Sequence, residues 1–379
     1  MLINPSSNPI NLQPPAQKLW NDARRFPSSL GCTTCFNRQV CGGLNNAGSI
    51  FDCLSLCCGK PKDCDTVCRN KPEEFVSRIR EISGFELHNV PRTISPRAPS
   101  LPRVVPVIFH GHKRELPFAC SGVVCLPLLA VIDFAAATAK DKSEDELFRR
   151  FRIQSGTKVI LTGTSTDPAL EKWWSLGARR VAVIQALKKL NVDFVTAPNY
   201  SLFIDQPRWD DLHNMKRIAL VHQEFQSEGM VCALHLNGRT ERDWERWEEF
   251  VGTRDEVTHV AFEFGTGAGW LHRIGWYLDR LTGFHTAIKR PIHLAVRGGL
   301  LVLTQLSQVF SEITFIDTSV FQRATHRKAA IIKPNGKLGW YHSPTPHGQP
   351  FDHLLDHNWN VASKSYMETL GGTPMRKVA

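Results

Sequence analysis

Eight of the chain's 11 cysteines fall between Cys32 and Cys68. They are spaced Cys32-x2-Cys35-x5-Cys41, then Cys53-x3-Cys57-Cys58-x5-Cys64-x3-Cys68. Gaps of two or three residues let successive thiolates turn back onto one ion, and Gly42, Gly43, Gly48 and Gly59 permit the tight turns this requires. Eight thiolates suit two four-coordinate zinc ions, two cubane iron–sulfur clusters, or one centre with spare cysteines. The second half lacks a C-x2-C pair, which favours iron–sulfur, with zinc still open. Cys58 directly after Cys57 breaks the C-x3-C-x2-C spacing of radical enzymes. The remaining cysteines, Cys120, Cys125 and Cys232, sit in apolar runs and read as core residues.

A second group of chemically capable residues recurs where apolar runs end. In order these are Thr162-Gly163-Thr164 with Asp167, Asn199-Tyr200-Ser201 with Asp205, His235-x-Asn237-Gly238-Arg239, Glu263-Phe264-Gly265-Thr266-Gly267, Arg297-Gly298-Gly299 and Asp317-Thr318-Ser319. Strand ends serving only the fold need no carboxylate, amide or imidazole each time. Asp167 before Pro168 also fits a helix start. Glu263 and Asp317 each close an apolar strand and are expected to carry function.

The elements that must position these residues alternate between strand and helix patterns. Strands are expected at Val104–Phe109, Leu128–Phe134, Lys158–Thr162, Asp193–Ala197, Met230–Leu236, Val257–Phe262, Pro291–Val296 and Ile313–Ile316. Helices are expected at Glu73–Ile82, Pro168–Ser175, Ala178–Leu190, His213–Glu228, Trp244–Val251, Leu271–Leu281 and Leu301–Phe310. About eight strands alternating with helices indicate an α/β chain folded as a (β/α)8 TIM-like barrel. Catalytic groups of such a barrel gather at the C-terminal ends of its strands. No Gly-x-Gly-x-x-Gly follows a first strand, which removes the main reason to expect a dinucleotide fold. The organisation expected is a cysteine-rich metal-binding module over residues 1–90, the barrel over 91–342 and a C-terminal tail over 343–379. A Pro/Arg-rich stretch from Pro91 to Pro106 would bridge module and barrel.

With 42% hydrophobic and 22% charged residues the composition is that of a packed protein. Apolar runs stop short of the roughly 20 residues a membrane helix requires. The polar, Pro/Asn-rich residues 1–17 do not read as a signal peptide. A cytoplasmic chain with no membrane partner is therefore expected, a setting in which clustered cysteines bind metal rather than pair as disulfides. The net charge of +10 points to an anionic partner, nucleic acid first. Between Thr318 and Phe351 there is no Asp or Glu, whereas Arg323, Arg327, Lys328, Lys333 and Lys337 all fall there. A phosphate backbone is expected along that stretch.

The last two strands resemble a known pattern. Arg290-Pro-Ile-His-Leu-Ala-Val-Arg-Gly-Gly, a helix, and Ile316-Asp317-Thr-Ser-Val-Phe-Gln-Arg323-Ala-Thr-His-Arg327-Lys resemble the end of the tRNA-guanine transglycosylase barrel, and most closely its branch that places deazapurines in DNA. The resemblance implies that Asp317 is the nucleophile that attacks the ribose carbon, with Arg297 expected to keep it ionised. Glu263 and Gly265 would belong to the substrate strand, His235 would stand where the family binds the base through Gln, and Asn199 where it reads the base through Asp. Asp167 would replace an acid/base Asp missing from Thr162-Gly163-Thr164-Ser165. The family's zinc site after the barrel has no counterpart, since no Cys follows Cys232. The activity implied is exchange of a guanine-type base for a 7-deazaguanine in DNA, or in tRNA, alongside partner proteins of a modification or defence system. An N-glycosidase that removes a base needs the same carboxylates, whereas a barrel that only reads a modified base could use Asn in place of Asp317; both stay open beside it.

Overall fold

The apolar runs form eight parallel strands: β1 (Val104–Pro106), β2 (Val123–Pro127), β3 (Lys158–Thr162), β4 (Val192–Thr196), β5 (Cys232–His235), β6 (His259–Glu263), β7 (His293–Arg297) and β8 (Ile313–Asp317). The computed structural model describes residues 80–202, 208–346 and 348–371, with the backbone pairs Leu19–Trp20 and Asn45–Asn46. The eight clustered cysteines, and the metal or iron–sulfur centre expected of them, lie outside the described residues.

Strand order is β1-β8-β7-β6-β5-β4-β3-β2. The two end strands meet through one parallel bridge, Val107 to Cys125, supported by the Ile108 N–H donating to the Cys125 carbonyl at 2.9 Å. The barrel is thus nearly closed. Around it run α1 (Glu144–Phe151), α2 (Asp167–Ser175), α3 (Arg180–Lys188), α4 (Arg208–Ser227), α5 (Glu241–Gly252), α6 (Ile274–Ile288), α7 (Leu303–Val309) and α8 (Ser319–Thr325). An antiparallel hairpin, β9 (Lys328–Ile332) with β10 (Leu338–His342), and a long helix α9 (Asp352–Gly371) follow. Among the described residues no helix is long and apolar enough to cross a membrane.

The barrel wall separates two apolar cores. Val105, Ile160, Phe194, Ala261, Ala295 and Ile316 belong to a small core enclosed by the strands. The alternate strand residues pack with the helices in a much larger outer core. Because successive strand side chains point to opposite faces, this division fixes where each strand end points. His235 lies two residues beyond Ala233, Glu263 two beyond Ala261 and Arg297 two beyond Ala295, so all three face inward. Asp317 directly follows the inward-facing Ile316 and therefore faces outward.

One expected strand is displaced. The strand expected at Leu128–Phe134 lies earlier, at β2. Pro127 ends the pairing, and Leu128–Val131 turns as a 3-10 helix whose Leu128, Leu129 and Val131 are buried. The tail expected beyond residue 342 contains α9, which buries Leu355, Trp359, Tyr366 and Leu370 against the rest of the chain. Ile82, Phe85, Leu87 and Val90 likewise pack into the outer core, although they precede the boundary expected at residue 91.

Candidate active site at the barrel mouth

Neighbouring strands β6 and β7 place Glu263 beside Arg297, as register partners at their C-terminal ends. Glu263 is only 4% exposed. Its Oε1 accepts a hydrogen bond from the Gly265 N–H, and its Oε2 lies 3.2 Å from Arg297 Nη1, outside hydrogen-bond geometry. A side chain at Gly265 would run into Oε1, so glycine there lets the carboxylate fold back onto the backbone. Burial raises the Glu263 pKa, while Arg297, the Gly265 amide and the Thr164 side chain pull it back. A carboxyl poised this way can both carry and release a proton.

His235 stands on β5, beside β6, and is 2% exposed. Its Nδ1 lies 3.3 Å from the Ala197 carbonyl. A carbonyl only accepts, so Nδ1 bears the proton and Nε2 is left as an acceptor with no protein partner. Burial, with a smaller contribution from Arg297, brings its pKa down to about 3 against the opposing carbonyl bond. His235 is neutral at pH 7.

Above this ion pair opens a cavity of about 210 Å³ lined by Glu263, Thr164, Asn199, Ser201, Asn237 and Arg239, with Tyr277 contributed by α6. Asn237 Nδ2 donates to Asn199 Oδ1 and to the Tyr200 carbonyl, both at 3.0 Å. Arg239 donates to the Leu202 carbonyl at 2.5 Å and to the Tyr277 hydroxyl at 2.6 Å. Its position is set by the start of α5, where Thr240 and Asp243 form a reciprocal capping box and Asp243 also accepts the Arg239 N–H. Asp167, the first residue of α2, accepts from the Ser201 hydroxyl at 2.6 Å and so sits at the rim. The loops therefore present amides, hydroxyls and a guanidinium around one buried carboxyl, the furnishing of a site for a small polar ligand. A larger cavity of about 580 Å³ lies beside α5, lined by Arg92, Arg242, Arg246 and Arg254. It is away from the strand ends, and Arg92, Arg242 and Arg254 already pair with Glu256, Glu245 and Glu249. The smaller cavity is the better candidate on chemistry.

The remaining expected residues sit elsewhere. Asp317 is buried on the outer side of the wall, where its carboxylate accepts four hydrogen bonds. These come from the Ser319 N–H (3.1 Å) and hydroxyl (2.6 Å), the Val320 N–H (2.9 Å) and the Tyr366 hydroxyl (2.9 Å). It ties α8 and α9 to β8, and the nearest partner of Arg297 is Glu263, not Asp317. Arg323 lies over the Trp340 ring, and Arg327 donates to the Gln349 carbonyl and lies over Phe351. Lys328 opens β9. The structure thus joins Asn199, His235, Glu263, Gly265, Arg297 and Asp167 at one mouth, and sets Asp317, Arg323, Arg327 and Lys328 apart from it. Tyr277 was not foreseen, because it comes from a helix and not from a strand end. Thr164, Ser201 and Asn237 stood within the strand-end motifs without being singled out. No protein-family model matches the chain, and no curated protein matches it either.

Proposed function

We propose that the chain is a nucleic-acid base-exchange enzyme of the tRNA-guanine transglycosylase-like kind, with Glu263 in place of Asp317 as the carboxyl that works at the sugar–base bond. One observation carries this reading: Glu263 is a buried carboxyl with one oxygen lacking a hydrogen-bond donor, at the base of an amide-lined cavity where parallel strands end. Breaking a glycosidic bond leaves positive charge on the sugar and negative charge on the departing base. Glu263 hands its proton to that base, and the resulting carboxylate faces the positive sugar carbon. When the incoming base attacks, its ring N–H proton returns to Glu263, so one C–N bond breaks, one forms and the carboxyl is regenerated. Arg297 steadies the carboxylate, and Asn199, Asn237 and Arg239 offer donors and acceptors to the base edge. The outward position and four donors of Asp317 do not favour its expected role as nucleophile. The iron–sulfur or zinc centre proposed for the cysteines has a structural part in this scheme.

The test is incorporation of labelled guanine or a 7-deazaguanine into duplex DNA and into tRNA. Glu263→Gln should lose exchange by about 10²-fold or more, the usual scale for a positioned acid/base group. Release of base without incorporation would make the chain a glycosidase. Wild type inactive on both nucleic acids, or Glu263→Gln equal to wild type, would sink the proposal.

A further inference from the structure

Four exposed apolar side chains lie on the two neighbouring loops that follow β6 and β7, beside the Glu263 cavity. In the loop after β6, Trp270 is 56% and Leu271 67% exposed; in the loop after β7, Leu300 is 42% and Leu301 52% exposed. The loops are held as one surface. Gly298 and Gly299 take left-handed backbone angles, φ +72° and +74°, and Gly299 packs so closely on the Phe264 ring that any side chain there would collide with it. The same β6 loop lines the cavity through Thr266, Gly267 and Ala268 before it reaches Trp270. The rim is therefore continuous with one wall of the cavity.

The rim's charge is one-sided. Residues 264–273 and 298–302 contain no Asp or Glu, while Arg273 and His272 lie there. The Arg273 guanidinium sits 4.9 Å from the Trp270 ring centre, and the His272 ring is 5.6 Å from the same tryptophan. An exposed indole beside a guanidinium matches the two needs of a single strand, a face for a base to stack on and positive charge for its phosphates.

We infer that the Trp270–Leu271 and Leu300–Leu301 rim is a stacking platform for single-stranded nucleic acid, seating the nucleotide next to the one whose base enters the cavity. This rests on the base-exchange reading for the orientation of the strand, and the test separates the two. Labelled single-stranded DNA and RNA oligonucleotides, some carrying 2-aminopurine, are titrated against wild type, Trp270→Ala, Trp270→Phe and Glu263→Gln. Trp270→Ala should weaken binding on the order of ten- to a hundredfold, the scale of one lost base stack. It should also abolish the 2-aminopurine quenching seen with wild type, while Trp270→Phe retains most of both. The indole is exposed, so the thermal midpoint should stay unchanged and a folding defect is distinguishable. Oligonucleotide binding that falls with Trp270→Ala but survives Glu263→Gln supports the platform even where exchange activity is absent. Equal affinity of wild type and Trp270→Ala overturns it. So does a dimer in sedimentation that Trp270→Ala converts to monomer, which would make the rim a contact between copies of this chain.

Discussion

Asp317 shows how one position of register decides a residue's work. Like Glu263 it closes a five-residue apolar strand, yet it serves two helices outside the barrel. Burial raises its pKa in spite of four donors. The folded state therefore holds the proton more readily than the unfolded chain, so this group's contribution is fullest in acid and is lost as pH rises through the raised value. Removing the carboxyl strands two amides of α8 and leaves the Ser319 and Tyr366 hydroxyls only each other, at 2.9 Å. Asp317→Ala should cost roughly 2–4 kcal/mol by chemical denaturation at pH 7, because each buried group left unpaired costs about 1–3. Asp317→Asn keeps an acceptor for Oδ1's donors and should cost about half as much, with exchange activity intact. A folded Asp317→Asn that loses exchange by orders of magnitude would return the residue to the mouth. The polar strand ends were legible in the sequence, and five of them do meet. Which end faced inward was not. Strands of a parallel barrel are apolar on both faces, so ITFID and HVAFE carry no alternation to fix their parity.

Alternation of strand and helix survived from sequence to fold because each βα unit carries its own local signals. Where a long apolar run offered no such signal, as in Val123–Phe134, the strand was placed too late and Pro127 proved to be its end. Helix α9 was illegible for a different reason: polar residues hold key buried places on it. Asn358, fully buried, accepts from the Ala330 N–H at 2.7 Å and donates to the Lys328 carbonyl at 2.9 Å. Its amide thus stands in for a neighbouring strand along the edge of β9, and both of its ends are used. Asn358→Ala should destabilise the protein by about 2–3 kcal/mol, since two backbone groups lose their partners in the interior. Asn358→Asp should be no better, because a carboxylate cannot donate to the Lys328 carbonyl and its charge is buried. The check is hydrogen exchange at Ala330, which should rise in both variants and far less in the outer core. Unchanged protection there would mean the hairpin does not depend on α9.

At the scale of the whole molecule the unusual quantity is buried neutral imidazole. His235 at the mouth is brought to about 3, and His222 on α4 with His259 and His293 at the opposite end of the barrel to about 4, burial being the first cause in each. His259 and His293 stack at 5.1 Å and hydrogen-bond Thr258 and Thr314, so their packing depends on staying uncharged. All four have folded pKa values below the unfolded value of about 6.5. Their stabilisation is therefore present above pH 6.5 and is lost as pH falls toward 4, because the unfolded chain takes up protons the folded one refuses. Each contributes up to about 1.4 kcal/mol per pH unit. Together they set an upper limit of roughly 8 kcal/mol at pH 5, the scale of a whole domain's stability of about 5–15 kcal/mol. Glu263 and Asp317, with raised values, act in the opposite sense, as do Asp193, Glu248 and Asp356, so the net effect falls below that limit. The thermal midpoint should accordingly drop by roughly 10 °C between pH 7 and pH 5. His222→Leu should remove about a quarter of that slope, since it takes out one of four comparable groups. A midpoint that does not move over this range would mean that these imidazoles are not held neutral inside the barrel and its helices.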